Sequence, residues 1–260
     1  LLREEGRLAW RRALGHGVGS DGWMPFPIPA FLVEHPGAGR LSIDTGLHPA
    51  VAVNPRENLG RVTLVFRDLE MEAGQALPAQ LRERGIDPAS IATVLMTHLH
   101  ADHASGCSEF PGATFLVSRA EWEAATTQGR SHGYATRQFD HAFDYRLVDF
   151  AGEEAESFSG FARSFDVFGD GSVRLVYTPG HTPGHMSVVL RIAGGEVLVA
   201  GDAMFLQRTL TEDHLPHRVE DEHLFRRSLR EIRQYATETP GARIIPGHDW
   251  DDWQKLPPVI

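Results

Sequence analysis

Three histidines and an aspartate fall within THLHADH, residues 97–103, directly after the apolar run IATVLM. Imidazole nitrogen and carboxylate oxygen are the donor atoms zinc prefers, and catalytic zinc sites keep one position open for water. On an extended segment His98, His100 and Asp102 share a side while His103 points elsewhere. A tight turn after the strand can then give His98 and His100 to one metal ion, and Asp102 and His103 to a second. Several imidazoles buried without partners would cost several kcal/mol on an approximate scale of polar burial, so the cluster is expected to do work. The missing ligands are expected at the ends of later strands. VRLVY runs into TPGHTPGH with His181 and His185, VLVAGDA ends in Asp202, and ARIIPGHD ends in His248. Each lies near a glycine, which lets the backbone turn sharply without a Cβ clash.

These motifs need elements to hold them. AFLVEH and RLSID, separated by PGAG, read as a hairpin. Residues 47–72 mix Pro, Asn, Gly and charges without a period and read as a long loop, of the kind that serves as a lid, a binding loop or a dimer contact. LPAQLRERG predicts a helix stopped at Gly85, and SIATVLM predicts a buried strand. ATFLVS is a further strand, and Ser118 and Glu121 stand at capping-box spacing at the start of a helix. Residues 127–160 read as a second variable region. VRLVY, SVVLRI and EVLVA form a run of strands. DEHLFRRSLREIRQYA places Leu224, Phe225, Leu229 and Ile232 on one helical stripe. Strands in two groups, each followed by helices, predict an α/β arrangement of two packed sheets with helices outside. No internal repeat or linker interrupts the 260 residues, so a single domain over 1–260 is expected.

The totals exclude other classes. A formal charge of −10 without a long Lys/Arg cluster argues against nucleic acid or an anionic membrane as partner. No apolar run is long enough to span a bilayer. One cysteine, Cys107, cannot form an intrachain disulfide framework and suits a reducing compartment, the cytoplasm. It needs no catalytic role and reads as a small buried or loop thiol. The N-terminus has no signal-peptide pattern and does not begin with Met, which leaves an upstream piece open.

In order and spacing, HLHADH, TPGHTPGH, GDA and PGHD resemble the metallo-β-lactamase superfamily, and IDTG at 43–46 resembles its early aspartate motif. The resemblance covers roughly residues 28–250. It implies a four-layer αβ/βα sandwich with two divalent metal ions between the sheets, zinc first and Mn, Co or Fe as alternatives. His98, His100 and His181 would hold one ion, Asp102, His103 and His248 the other, and Asp202 would bridge them. Asp44 and His185 would orient ligands. The implied chemistry is hydrolysis by a metal-bridging hydroxide, with Asp102 delivering a proton to the leaving group.

A finer resemblance, in VYTPGHTPGHMSVVL, SRAEWEAA and the short tail after PGHD, is to the N-acyl homoserine lactone lactonases. GWMPFPIP at 22–29 and the residues after Asp202 would then line an apolar groove for an acyl tail. Two positions depart from that branch. Its tyrosine three residues after the bridging aspartate is Phe205 here, with Tyr134, His132 or His217 as candidate substitutes. The aromatic before the metal-binding aspartate is Ala101, which is expected to widen the site. A phosphotriesterase, a glyoxalase-II-type thioesterase and a mononuclear-iron persulfide dioxygenase, which needs only His98, His181 and Asp202, stay open. The partner in every case is a small molecule, with an acyl or ester group in the hydrolase readings, and the resemblance favours a homodimer.

Overall fold

The computed structural model describes residues 2–3, 23–24, 26–60, 69–141, 143–212, 215–216 and 219–260, with the side chains of residues 2, 3, 23, 24, 130 and 131 excepted. It falls into two compact units, one of residues 28–148 and one of residues 149–260 with the described residues up to Pro27.

The first unit is built on a five-stranded sheet. Strands β1 (Phe31–His35) and β2 (Gly39–Ile43) form the expected hairpin. Its turn is closed by His35 Nδ1, which accepts from the N–H groups of Gly37 (3.1 Å) and Ala38 (2.9 Å). Strands β3 (Thr93–Leu95), β4 (Thr114–Ser118) and β5 (Asp144–Val148) follow in parallel, in the order β1-β2-β3-β4-β5. Parallel register pairs Ile43 with Leu95, so the C-terminal ends of β2 and β3 lie side by side. That alignment brings Asp44 to Thr97, as described below.

Between positions 47 and 72 the loop expectation is corrected in part. Pro49–Ala52 is a 3₁₀ turn and α1 (Pro55–Leu59) a short helix, each begun by a proline at its first position, where a missing N–H costs nothing. Positions 61–68 of that stretch lie outside the described residues. The next helix, α2 (Leu77–Glu83), ends as expected before Gly85, which has φ +73°. A short helix, α3 (Ala101–Ala104), follows β3 and carries Asp102 and His103. Helix α4 (Arg119–Gln128) follows β4 with Ser118 as its N-cap, but the serine hydroxyl makes no capping bond. The variable reading of 127–160 missed β5, which alternates between exposed and partly buried positions at the edge of the sheet.

Val94, Met96, Phe110, Phe115, Val117 and Phe139 anchor this unit's core, and Cys107 is buried with them. Burial pushes the Cys107 thiol from 9.0 up to about 12, with the Thr45 hydroxyl offsetting part of the rise. The native thiol is therefore expected to resist iodoacetamide at about pH 8 and to react once the chain is unfolded. Because the folded state holds this proton more tightly, its contribution to stability is complete below the unfolded value of 9.0. It is lost progressively as pH rises toward about 12, and denaturant titrations along that range read the slope.

The second unit is a six-stranded sheet. Strands β6 (Glu156–Phe158), β7 (Phe161–Asp166), β8 (Val173–Tyr177), β9 (Met186–Ile192) and β10 (Gly195–Gly201) run antiparallel to one another. Strand β11 (Arg243–Pro246) returns parallel to β10 after helix α5 (Glu222–Glu238), giving the order β11-β10-β9-β8-β7-β6. Helix α5 buries Phe225, Ser228, Leu229, Ile232 and Tyr235; Leu224 is only half-buried, so the predicted stripe is displaced toward Phe225. The C-terminal ends of β8, β10 and β11 and the N-terminal end of β9 share one edge. The residues that follow them, at 178–185, 202 and 248, therefore gather at that edge. Among the described residues no helix is long and apolar enough to cross a membrane.

Candidate functional site

In the first unit the histidine cluster is held from behind. Asp44 leaves β2 with φ +56°, a left-handed conformation that aspartate tolerates better than most residues. Its Oδ1 accepts from the Thr97 N–H (2.7 Å), and its Oδ2 accepts from the Thr97 hydroxyl (2.7 Å) and from His103 Nδ1 (2.8 Å). Since the Thr97 hydroxyl donates to Asp44, it accepts from His98 Nδ1 at 3.1 Å. His100 donates from Nε2 to the carbonyl of His132 at 2.8 Å. Every proton in this set is thereby assigned. His98 and His103 carry theirs on Nδ1 and offer Nε2; His100 carries its proton on Nε2 and offers Nδ1.

The ligand-type atoms of His98 lie within 4.8 Å of those of both His100 and His103, as does that of Asp102 from His103. All but the half-buried His100 are buried. Gly133, at φ +90°, admits the His100 ring, since a Cβ there would stand 2.8 Å from His100 Cδ2.

Glu121 departs from the capping box. It is fully buried, and its Oε1 accepts the N–H of Leu99 at 2.9 Å, between His98 and His100. Sequence reasoning missed this because Glu121 at capping spacing looks local, and its partner lies 22 positions away. Glu121→Ala leaves the Leu99 N–H without this acceptor and is expected to lower unfolding stability by about 1–3 kcal/mol in urea titration. Glu121→Gln, which keeps an acceptor oxygen, is expected to recover most of the loss.

In the second unit Thr178 N–H bonds the carbonyl of His185 (3.0 Å), closing the TPGHTPGH loop. A Cβ on Gly180 would stand 2.2 Å from the backbone nitrogen of Phe225, so glycine alone lets the loop lie on the start of α5. His185 is buried. Its Nε2 accepts the N–H of Asp202 (3.0 Å), and its Nδ1 donates to Thr178, which donates to Ser187, which donates to the carbonyl of Ala200. This relay fixes the His185 tautomer and the backbone of Asp202, so His185 touches Asp202 through its main chain.

The Asp202 carboxylate meets His181 Nε2 at 3.0 Å on Oδ2 and His248 Nε2 at 2.9 Å on Oδ1. Gly247 permits the approach, since a Cβ there would stand 2.8 Å from Asp202 Oδ1. His248 Nδ1 donates to the carbonyl of Pro27 (2.8 Å), an atom that can only accept. Neutral His248 therefore points the Nε2 lone pair at a carboxylate oxygen. In the first unit His103 does the same, with Nδ1 on Asp44 and Nε2 3.7 Å from Asp102 Oδ2. A lone pair facing a carboxylate needs a positive charge between them. Two ligands about 2.0–2.1 Å from one tetrahedral ion stand roughly 3.3 Å apart, close to these separations. The donor set fits divalent metal ions.

The departures also find their places. Ala101 is buried against Leu47, Val51, Leu59 and Ala135. Phe205 stands edge-on to His181 (5.4 Å) and His248 (5.3 Å). Tyr134 is buried with its ring 5.2 Å from His100, and His132 contributes its carbonyl to His100. His217 lies outside the described residues. Thr97, Thr178, Phe26 and Pro27 were not singled out as ligand supports; only the threonines, adjacent to the motifs, carried a local signal.

The sequence model of the metallo-beta-lactamase superfamily matches residues 23–248. The chain belongs to this superfamily. N-acyl homoserine lactonase AttM of Azorhizobium caulinodans is 34% identical over 246 residues, 94% of this chain and 89% of the relative. A solved structure of Bacillus thuringiensis AiiA, a mutant with N-decanoyl-L-homoserine at its active site, superposes with a TM-score of 0.76 at 22% identity. It covers 95% of this chain and 91% of the other. AidC, described as a dizinc quorum-quenching lactonase, gives a TM-score of 0.59 at 15% identity, covering 88% and 75%. The expected α/β fold of the metallo-β-lactamase type holds.

Proposed function

We propose that this chain is a metal-dependent hydrolase that opens the lactone ring of N-acyl homoserine lactones, its two units acting as one domain. The observation that carries the substrate is the 34% identity to a lactonase along nearly the whole of both chains. His98, His100 and His181 would hold one divalent ion, Asp102, His103 and His248 a second, with Asp202 shared between them. Zinc is the proposed metal, by likeness to the dizinc relative and by the imidazole and carboxylate donors.

Bound there, the ions supply Lewis acidity for the lactone carbonyl and a nucleophilic water near neutral pH. The chain's own residues do the rest. Asp44, Thr97 and the carbonyls of Pro27 and His132 hold the imidazole tautomers, so that each ring offers a lone pair. Asp102, buried at the start of α3, would take the proton that the attacking water gives up and pass it to the opened ring's alkoxide oxygen as it leaves. Phe205 brings no hydroxyl to the substrate carbonyl. A mononuclear-iron site would leave the fixed tautomers of His103 and His248 without a task, which supports two ions. The lone buried thiol supports a reducing, cytoplasmic setting, and a homodimer is part of the reading, to be checked by sedimentation.

The test is proton release by zinc-loaded protein on N-acyl homoserine lactones of several chain lengths, before and after chelation. Ring opening that disappears with the metal and returns on its addition is expected. No release at full metal occupancy refutes the lactone reading and moves phosphotriesters and thioesters forward.

A further inference from the structure

The three aromatic contacts around His181 and His248 form a pattern that the hydrolytic chemistry does not require. Phe26 lies flat on the imidazole of His248, with ring centroids 3.8 Å apart and planes 18° from parallel. Phe205 stands nearly perpendicular to that imidazole at 5.3 Å and also edge-on to His181 at 5.4 Å. Phe26 and Phe205 meet each other at 6.3 Å and 86°. The carbonyl that anchors His248 Nδ1 belongs to Pro27, the next residue after Phe26. One short stretch thus grips a single imidazole by its face and by its Nδ1–H, 221 positions away in sequence.

We propose that Phe26 and Phe205 are positioning residues, an aromatic bracket that sets how tightly the Asp202 half of the site holds metal. The inference rests on the reading of His181, Asp202 and His248 as ligands. An imidazole free to rotate about its side-chain bonds loses orientational freedom on binding an ion, and a ring already fixed on two sides has little left to lose. Stacking resists tilting of the His248 plane, and the Pro27 carbonyl resists rotation within it. Phe205 fills the space between His181 and His248, so neither can swing toward the other across Asp202. Prolines at 27 and 29 limit the conformations of the stretch that carries Phe26. On this view Phe205 occupies a tyrosine position without acting on substrate, because its packing task needs the ring and not a hydroxyl.

The test compares ring-keeping with ring-removing variants in the full chain. Zinc is withdrawn by a chromophoric chelator from wild type, Phe26→Leu, Phe205→Leu, Phe26→Tyr and Phe205→Tyr. Each leucine variant is expected to release one ion about 10-fold or more readily, while the tyrosine variants stay near wild type. A second readout needs no metal. In ¹⁵N-histidine spectra of the metal-free protein, the slowly exchanging His248 Nδ1–H is expected to lose protection in Phe26→Leu and to keep it in Phe26→Tyr. Should leucine at 26 fail to fold, Phe26→Met, which preserves apolar volume without a plane, takes its place. Wild-type zinc affinity and unchanged exchange in the leucine variants overturn the bracket. His248→Ala separates the two ideas, since zinc binding untouched by that change refutes the ligand reading itself.

Discussion

Asp202→Asn is expected to slow lactone ring opening by about 10²–10³-fold or more and to lower bound metal below two ions per chain. The substitution is nearly isosteric and keeps the backbone N–H that His185 accepts at 3.0 Å. What it removes is charge and one acceptor. The carboxylate places an oxygen opposite His181 Nε2 and another opposite His248 Nε2, and an asparagine can place only one. Its amide nitrogen, with no lone pair to give, would face the second. Several kcal/mol of charge stabilisation by a metal ion, at about 1.4 kcal/mol per factor of ten, correspond to the stated loss. The metal-free variant is expected to unfold at a temperature no lower than the parent, because a buried carboxylate beside imidazole lone pairs carries a desolvation cost that the amide escapes. Elemental analysis, pH-stat rates and thermal unfolding read the three quantities on one preparation. Unchanged metal content and rate would remove Asp202 from the site.

The contrast between what was legible and what was not follows the range of the interactions. His181, Asp202 and His248 could be picked out because each follows an apolar strand and lies near a glycine, and His98 because it opens a histidine cluster directly after one, local patterns of few residues. Gly247 shows why the pattern has physical content, since any side chain there would collide with Asp202. The hairpin at 31–43 and the Gly85 stop were readable for the same local reason. Strand β5 was not, because its alternation is only partly buried and carries a weak apolar signal. Glu121 was misread because capping spacing describes only its own helix, while its partner Leu99 belongs to another element. The hold of Phe26 and Pro27 on His248 joins the two ends of the chain, and no window of sequence contains both.

Asp44→Asn should act through a tautomer, and this makes it the sharper probe of the first unit. Asparagine tolerates the φ of +56° at this position, so the backbone has no reason to move. The aspartate accepts three hydrogen bonds, from Thr97 N–H, the Thr97 hydroxyl and His103 Nδ1. If the asparagine oxygen takes the Thr97 N–H, its NH₂ group faces the Thr97 hydroxyl and His103 Nδ1. His103 can then meet it only as an acceptor, which moves its proton to Nε2, the atom offered to the metal. If the amide flips, the Thr97 N–H confronts a donor instead, and a buried clash of N–H groups costs roughly 1–3 kcal/mol. With the oxygen toward the Thr97 N–H the ring is a poorer ligand, and a 10–100-fold loss of metal affinity or activity is expected, typical of a lost orienting partner; in the flipped arrangement the oxygen still accepts from His103 Nδ1 and the loss falls on stability instead. Histidine ¹⁵N shifts distinguish the outcomes, because the Nδ1–H and Nε2–H tautomers of His103 differ in both nitrogens. A variant that keeps His103 protonated at Nδ1 with undiminished zinc affinity and undiminished stability would show that the orientation of His103 does not depend on Asp44.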